Sequence, residues 1–382
     1  VESAIISRGR GRDSSPPPNS LIEYTAARLR RLCTAAGFGE ETNEVVGTVR
    51  SLMLPWGARP TTQVSKWVSE ISDDNTPVEF SVALTDGRAD VRVLFEAQAD
   101  EPTLPAYRAA GLALHGRLEK EFGATLDRFR RLEDLFAPEG MQGPFALWSA
   151  VVFSRGRRPS FKTYFNPQAR GVEQAPALVQ EALGRLGMHD AWPSLARSVL
   201  RRGRLDELKY FALDLVPGPE ARVKVYVRHH DATPDDLERA CQAAKSYVPG
   251  EAVAFAQAMR GGEKPMAVRA PFTCSAFTSS DGPPTSTTVY VPVCAYAKDD
   301  AAVRTRVTDY LDRNGIGSKL YASIIDGFAN RPLESGVGMQ AWVALRRIGG
   351  KASITAYLGT EAARVYAPGC VPAPTGATND LA

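Results

Sequence analysis

Of 382 residues, 44% are apolar and 23% charged, with 32 glycines and 27 prolines. That balance excludes a collagen-like, disulfide-scaffold or wholly disordered chain, and the length calls for two domains or one large barrel. The 46 basic residues are nearly matched by 43 acidic ones, and a formal charge of +3 argues against a dedicated nucleic-acid binder without naming any partner.

Residues 1–20 carry Arg8, Arg10, Arg12, Ser14, Ser15 and three prolines, lack the apolar core of a signal peptide, and are expected to be a disordered tail. Apolar periodicity then predicts helices over 21–36 and 41–54. The β-rich runs 78–84 and 91–96 flank Asp86-Gly87 and read as a hairpin. Helices follow over 104–122 and 126–136, then a hairpin of 147–153 with 160–165 around Arg155-Gly156. A helix over 175–186 leads to a third hairpin, 209–215 with 222–228, around Pro217-Gly218. The fourth pairs 272–278 with 287–293 around Asp281-Gly282, after a helix over 234–247. Helices over 301–313 and 318–329 precede the last hairpin, 340–346 with 353–358, around Gly349-Gly350.

The order is helix, strand, strand, helix, five times over. Arg92, Tyr164, Tyr226, Tyr290 and Tyr357 mark equivalent points on the second strands, at intervals of 72, 62, 64 and 67 residues, a repeat of about 65 residues. Five hairpins leave open edges unless the sheet closes, and ten strands exceed the roughly eight at which side chains fill a barrel. The expected fold is α+β: a ten-stranded antiparallel β-barrel surrounded by helices in five αββα repeats, one domain over 21–367 with a flexible tail over 368–382. Two stacked α+β domains are the alternative.

The longest apolar run, residues 145–153, is interrupted by Ser149 and is too short for a bilayer of about 30 Å. Cys33, Cys241, Cys274, Cys294 and Cys370 form no CxxC pair, which suits free thiols in the cytoplasm and no zinc site. His115 and His189 stand apart, and His229 and His230 are neighbours that face opposite ways at a strand end, so no metal is expected.

Residues two apart on a strand share a face. If the barrel interior takes that face, Arg92, Lys162, Arg222 and Lys224 point inward with Tyr164, Tyr226, Tyr290 and Tyr357 beside them. Cations and phenol hydroxyls suit a polyanion, and ring faces attract positive charge by about 0.5–2 kcal/mol each. A register slip of one residue would turn the same set outward as ordinary solvated faces. Lys245-Ser246-Tyr247 and Lys319-Leu320-Tyr321 match too, but in helical stretches. Glu79, set between Val78 and Phe80, needs a partner: a substrate N–H, or an arginine on a neighbouring strand.

These segments resemble the aromatic prenyltransferases of the dimethylallyltryptophan synthase type, particularly their bacterial indole-modifying branch. The resemblance rests on Asp74-Asn75-Thr76-Pro77-Val78-Glu79-Phe80-Ser81, Lys162-Thr163-Tyr164-Phe165-Asn166-Pro167, Arg222-Val223-Lys224-Val225-Tyr226, Tyr290-Val291-Pro292-Val293, and Gly336-Val337-Gly338 leading to Trp342. It spans roughly residues 21–357 and implies a ten-stranded barrel that moves an allylic group from dimethylallyl or geranyl diphosphate to an indole. The acceptor would be tryptophan or a derivative such as an indolactam, and neither metal nor cofactor would be needed. By position, Arg92, Lys162, Arg222 and Lys224 would bind diphosphate with hydroxyls of Tyr164, Tyr226, Tyr290 and Tyr357. Those tyrosines and Trp342, which stands where the family often has a further tyrosine, would shield the allylic cation. Glu79 would accept the indole N–H. The chain has no DDxxD run for diphosphate-bound Mg²⁺, which agrees.

Fungal members often carry a lysine on the first strand of the second hairpin. Residues 147–153 have none, only Trp148 and Ser149 in that neighbourhood. The competing readings are a non-catalytic barrel that binds a phosphorylated small molecule and a phenol-type aromatic prenyltransferase. No nucleic acid or membrane partner is expected, and the chain is expected to be a monomer or weak homodimer.

Overall fold

A computed structural model describes residues 20–66, 68–278 and 282–372. Ten strands form one closed antiparallel barrel: β1 (Val78–Thr85), β2 (Arg88–Phe95), β3 (Leu147–Phe153), β4 (Ser160–Phe165), β5 (Asp206–Asp214), β6 (Val223–His229), β7 (Phe272–Phe277), β8 (Ser286–Val291), β9 (Gln340–Ile348) and β10 (Lys351–Gly359). Each strand pairs with its neighbours in sequence. The ring closes where β1 meets β10, with Glu79 opposite Gly359 and Leu84 opposite Ile354. The expected barrel is therefore the one formed, and the two-domain alternative is not.

Among the described residues ten α-helices surround it: α1 (Leu21–Ala35), α2 (Thr42–Leu52), α3 (Leu104–Phe122), α4 (Asp127–Arg130), α5 (Ala175–Arg185), α6 (Ala191–Ser198), α7 (Pro234–Cys241), α8 (Glu251–Arg260), α9 (Asp300–Arg313) and α10 (Lys319–Phe328). Two expectations shorten. The helix expected over 126–136 ends at Arg130, and that over 234–247 ends at Cys241; buried Ala244 keeps the apolar spacing within turns. Apolar spacing does not predict helices α6 and α8. Pro193 stands in the first turn of α6, where proline is tolerated although it reads as a breaker. Alanines on every side of α8 blunt its periodicity, and its ends are set by Gly250 and Gly261, both left-handed (φ 81° and 82°).

Strand alternation splits the interior into two compartments. Outward residues such as Val91, Val93, Phe161, Val223 and Val225, each at most 2% exposed, join the mantle under the helices. Burial of each such side chain contributes about 1.5–3 kcal/mol, so a slipped register would forfeit the mantle on every strand at once. Their alternates face a lumen with separate clusters around Trp148 and Tyr226.

The tails are only partly described. Residues 1–19 and 373–382 lie outside the described residues, as does Asp281 of the fourth expected turn. Ser20, the last residue of the expected N-terminal tail, caps α1 by accepting the Glu23 N–H at 3.2 Å. Residues 368–372 of the expected flexible tail make contacts: Gly369 N donates to Lys298 O at 2.7 Å and Arg269 donates to Pro372 O at 3.0 Å.

The end of the barrel where β1 begins is covered by buried Ser69, Ser72, Asp73, Asp74, Asn75 and Thr76. Asp74 organises this segment. Its Oδ1 accepts from Thr76 N (3.1 Å) and Thr76 Oγ1 (2.6 Å), and its Oδ2 accepts from Thr360 Oγ1 (3.2 Å) and Ala363 N (3.1 Å). The network ties the entry to β1 to the exit from β10, across the seam. Asp74→Ala should lower unfolding free energy by about 2–4 kcal/mol, because it orphans several buried donors at once. Guanidinium denaturation would measure it, and a loss below about 0.5 kcal/mol, within the range of an ordinary surface substitution, would refute the role.

Candidate active site

The strand pairs β1–β2, β3–β4, β5–β6, β7–β8 and β9–β10 each close at the same end of the barrel, and the chain's polar lumen residues sort along the axis accordingly. Arg92, Lys162 and Lys224 each stand between outward-facing residues, so they point inward toward the hairpin end. Arg222 precedes β6 beside them. Asp214 on β5 joins two of these cations: its Oδ2 accepts from Arg222 Nε at 2.6 Å and its Oδ1 from Lys224 Nζ at 3.1 Å. Arg346, from β9, is a fifth cation close enough to feel Arg92 and Arg222. Arg92, Lys162 and Arg346 make no ion pair among the described residues.

So many like charges in a buried chamber disfavour their own protonation. Burial outweighs Asp214 and brings Lys224 down to about 8. Burial, Lys224 and Arg92 hold Lys162 well below the usual lysine range. Burial, Arg92 and Arg222 lower Arg346 to about 10. Burial opposes ionisation of Asp214, but Lys224, Lys162 and Arg222 outweigh it and keep the carboxylate below its normal range.

Above the cations runs an arc of phenols. Tyr164 to Tyr226, Tyr226 to Tyr290 and Tyr290 to Tyr357 have ring centroids 6.0, 5.9 and 5.7 Å apart. Burial raises all four phenols, which stay neutral. Ala212 and Cys274, both buried, pack against the arc on the lumen side.

The other end of the lumen is acidic and aromatic. Glu79 is 8% exposed and makes no hydrogen bond among the described residues. Burial and then Asp73 push its carboxyl well above the usual range, while Arg269 opposes them. The salt bridge to a neighbouring strand's arginine, one alternative for this acid, does not form: Arg269 instead grips Asp73 through two 2.7 Å bonds. The same guanidinium lies 4.5 Å from the ring centroid of Trp342, which meets Phe272 edge-on at 5.3 Å. Opposite, Trp148 stacks on Phe145 at 4.0 Å and tilts against Tyr210 at 5.3 Å. Glu96, 1% exposed, is pushed by burial up to about 8 beside Trp148.

A bulge between Leu208 and Tyr210 adds Lys209 at this end. Lys209 Nζ lies 3.8 Å and Arg228 Nη1 3.5 Å from the Glu207 carboxylate. Both ends of the charge scale therefore meet here, with Glu70 in reach of Lys209 and Tyr210.

All nine lumen residues singled out from sequence, together with Trp342, meet in one chamber. Arg346, Asp214, Trp148, Tyr210 and Lys209 extend it. All five lie on first strands of hairpins, which the second-strand period does not mark; the two-residue spacing of Trp342, Ala344, Arg346 and of Tyr210, Ala212, Asp214 is the available signal. Ser149 is separate. It turns outward to His115, with Oγ 3.3 Å from Nε2, and burial brings that imidazole down to about 4, hence neutral. No three His, Cys, Asp or Glu side chains converge into a metal-binding set among the described residues, and none of their helices is long and apolar enough to cross a membrane. What the chamber can do is hold a polyanion at one end and a flat N–H heterocycle at the other, with π faces between.

The family described as tryptophan dimethylallyltransferase matches this chain over residues 22–245. Among solved structures, 6-dimethylallyltryptophan synthase from Micromonospora olivasterospora, in complex with DMASPP and Trp, is 36% identical with a TM-score of 0.86, covering 91% of this chain and 99% of that one. The prenyltransferase PriB, in a ternary complex with L-tryptophan and dimethylallyl thiolodiphosphate, is 32% identical with a TM-score of 0.83 over 92% and 99%. The 5-dimethylallyltryptophan synthase from Streptomyces coelicolor, with DMASPP and Trp, is 31% identical with a TM-score of 0.83 over 92% and 98%.

The cation cage predicts that inorganic pyrophosphate binds the protein and that Lys224→Ala weakens it by about ten- to a hundredfold, the worth of one charge-assisted hydrogen bond. Isothermal titration calorimetry at pH 7 would measure this. Unchanged affinity would remove Lys224 from the anion site.

Proposed function

The chain belongs to the tryptophan dimethylallyltransferase family, and we propose that it moves a dimethylallyl group from dimethylallyl diphosphate to the indole ring of free tryptophan. The carrying observation is the division of one lumen into a cation cage and a Glu79-centred aromatic end, with the tyrosine arc between them.

In this reading Arg92, Lys162, Arg222, Lys224 and Arg346 bind the diphosphate and supply the charge that lets it leave without a metal. The C–O bond breaks with its electron pair going to pyrophosphate. The allylic cation that remains lies against the faces of Tyr164, Tyr226, Tyr290 and Tyr357, with Trp342 completing the shield. A closed lumen keeps water from it. Glu79 accepts the indole N–H, which orients the ring and makes it more electron-rich. An indole carbon donates its π pair to form the new C–C bond, and the arenium then loses its ring proton. Ser149 points away from the lumen, so Glu79 and the departing pyrophosphate are the acceptors in reach.

The choice of free tryptophan rests on the mixed charge beside Tyr210. Lys209 and Arg228 suit an α-carboxylate, and Glu70 and Glu207 suit an α-ammonium. A lactam offers neither charge. A barrel that only binds phosphorylated ligands would have no use for Glu79 or the arc, and a phenol acceptor would lack the N–H that Glu79 receives.

Incubation with dimethylallyl diphosphate, tryptophan and EDTA should give a prenylated tryptophan detectable by mass spectrometry; no product with that pair or with geranyl diphosphate would refute the activity. Glu79→Gln should lower kcat/KM for tryptophan about a hundredfold. In the wild type, kcat/KM should fall at acid pH, as Glu79 with its raised pKa takes up a proton, and at alkaline pH, as Lys224 loses its proton near 8. The acid limb should be missing in Glu79→Gln. Lys209→Met should raise KM for tryptophan about tenfold and leave tryptamine, which has no carboxylate, unaffected. Equal effects on both acceptors would remove the carboxylate role.

A further inference from the structure

One side chain in the cage opposes all the others. Asp214 is 7% exposed, and it is the only carboxylate that pairs with any of the five lumen cations among the described residues. Asp90 shares the inner face of β2 with Arg92 but makes no such pair. The placement of Asp214 is fixed three times over. Its backbone stands opposite Lys162 on β4, its N–H donates to Arg222 O at 3.1 Å, and its two oxygens take different cations. An anion fixed in an anion-binding chamber repels the ligand, so its presence calls for a compensating effect on the cations.

That effect is set by what faces the two lysines. Lys162 meets Lys224, Arg92 and Arg222, and Lys224 meets Arg222, Cys274 and Arg346, with the neutral tyrosine arc above. Arg128 approaches Asp214 from the α4 side and donates its own Nη1 to Ala221 O at 2.6 Å. Among the charged groups that act most strongly on either lysine, Asp214 is the one carboxylate. Building on the donor-binding reading above, we propose that Asp214 is a positioning residue of the diphosphate site. It favours the ammonium forms of Lys162 and Lys224 in the empty enzyme, so the donor meets a charged cage instead of having to recruit protons.

The proposal is read from pyrophosphate binding by the full-length protein. With Asn at 214, Lys162 and Lys224 lose their one negative neighbour and deprotonate at lower pH. Affinity of Asp214→Asn should stay within about threefold of wild type at pH 6 and fall about tenfold or more below it at pH 8.5, one unit of lysine shift being a tenfold change in the charged fraction. Calorimetry in buffers of different ionisation enthalpy should show more proton uptake by the variant than by wild type at pH 7.5. Ligand protonation is common to both proteins and cancels.

A loss of equal size at both pH values, or unchanged proton uptake, overturns the proposal and leaves Asp214 a structural residue. If Asp214→Asn does not fold, Asp214→Glu carries the test, since the longer arm moves the carboxylate away from Lys224 Nζ. The alkaline limb of pyrophosphate binding should then move down by a smaller amount, and an unmoved limb overturns the proposal. Absence of prenylated product with pyrophosphate binding intact would sink the enzyme reading alone, whereas absence of pyrophosphate binding by wild type would sink both.

Discussion

Closure of an antiparallel sheet gives every strand residue one of two addresses, and all else in this molecule depends on that parity. Apolar side chains on one parity bind the helices to the sheet, and each adds to the penalty for a slip. The other parity carries Arg92, Lys162, Lys224, Asp214 and the four tyrosines, residues no helix-covered core could accept. The mantle therefore secures the chemistry: the charged residues stay in the lumen because their neighbours cannot leave the core.

Within the lumen the second constraint is electrostatic. Like charges about 6 Å apart repel by a few kcal/mol even at a moderate effective dielectric, yet five cations share the hairpin end. The fold tolerates them by spacing them over β2, β4, β6 and β9 and by one carboxylate on β5. Glu79 is the mirror case at the far end. It lies near Asp73, and the guanidinium that could neutralise it is committed to that aspartate and to the face of Trp342. Both ends are poised for a guest: at one, five cations outnumber the one carboxylate that pairs with them among the described residues, and at the other Glu79 makes no hydrogen bond among those residues.

Legibility in the sequence followed the same parity. Hairpins with Gly at their turns, alternating valines and a period near 65 residues were local signals, and the ten strands followed from them. Lys162 with Tyr164 and Lys224 with Tyr226 were readable because motif and strand coincide. Arg346 and Asp214 were not, since they sit on first strands where no repeated motif announces them, and Lys209 enters only through a bulge. Whether Ser149 or Trp148 faces inward depended on a register that a neighbouring pair of residues cannot decide. Helix α8 escaped because alanine is apolar enough to belong to any face.

The seam between β1 and β10 has a consequence for biosynthesis. Glu79 and Gly359 are opposite partners, so the first strand made waits for the last. Until β10 has left the ribosome, β1 has an unpaired edge, and Arg92 and Lys162 remain hydrated at the rim of an open sheet. The mantle of the early hairpins can form first, under α1 to α3, but the lumen exists as a chamber only when the whole chain is present. Such long-range closure makes folding slow. It also means that a polypeptide broken off before β9 would be unable to sequester a reactive allylic cation, because Trp342, Tyr357 and the closing seam all belong to the last hairpin.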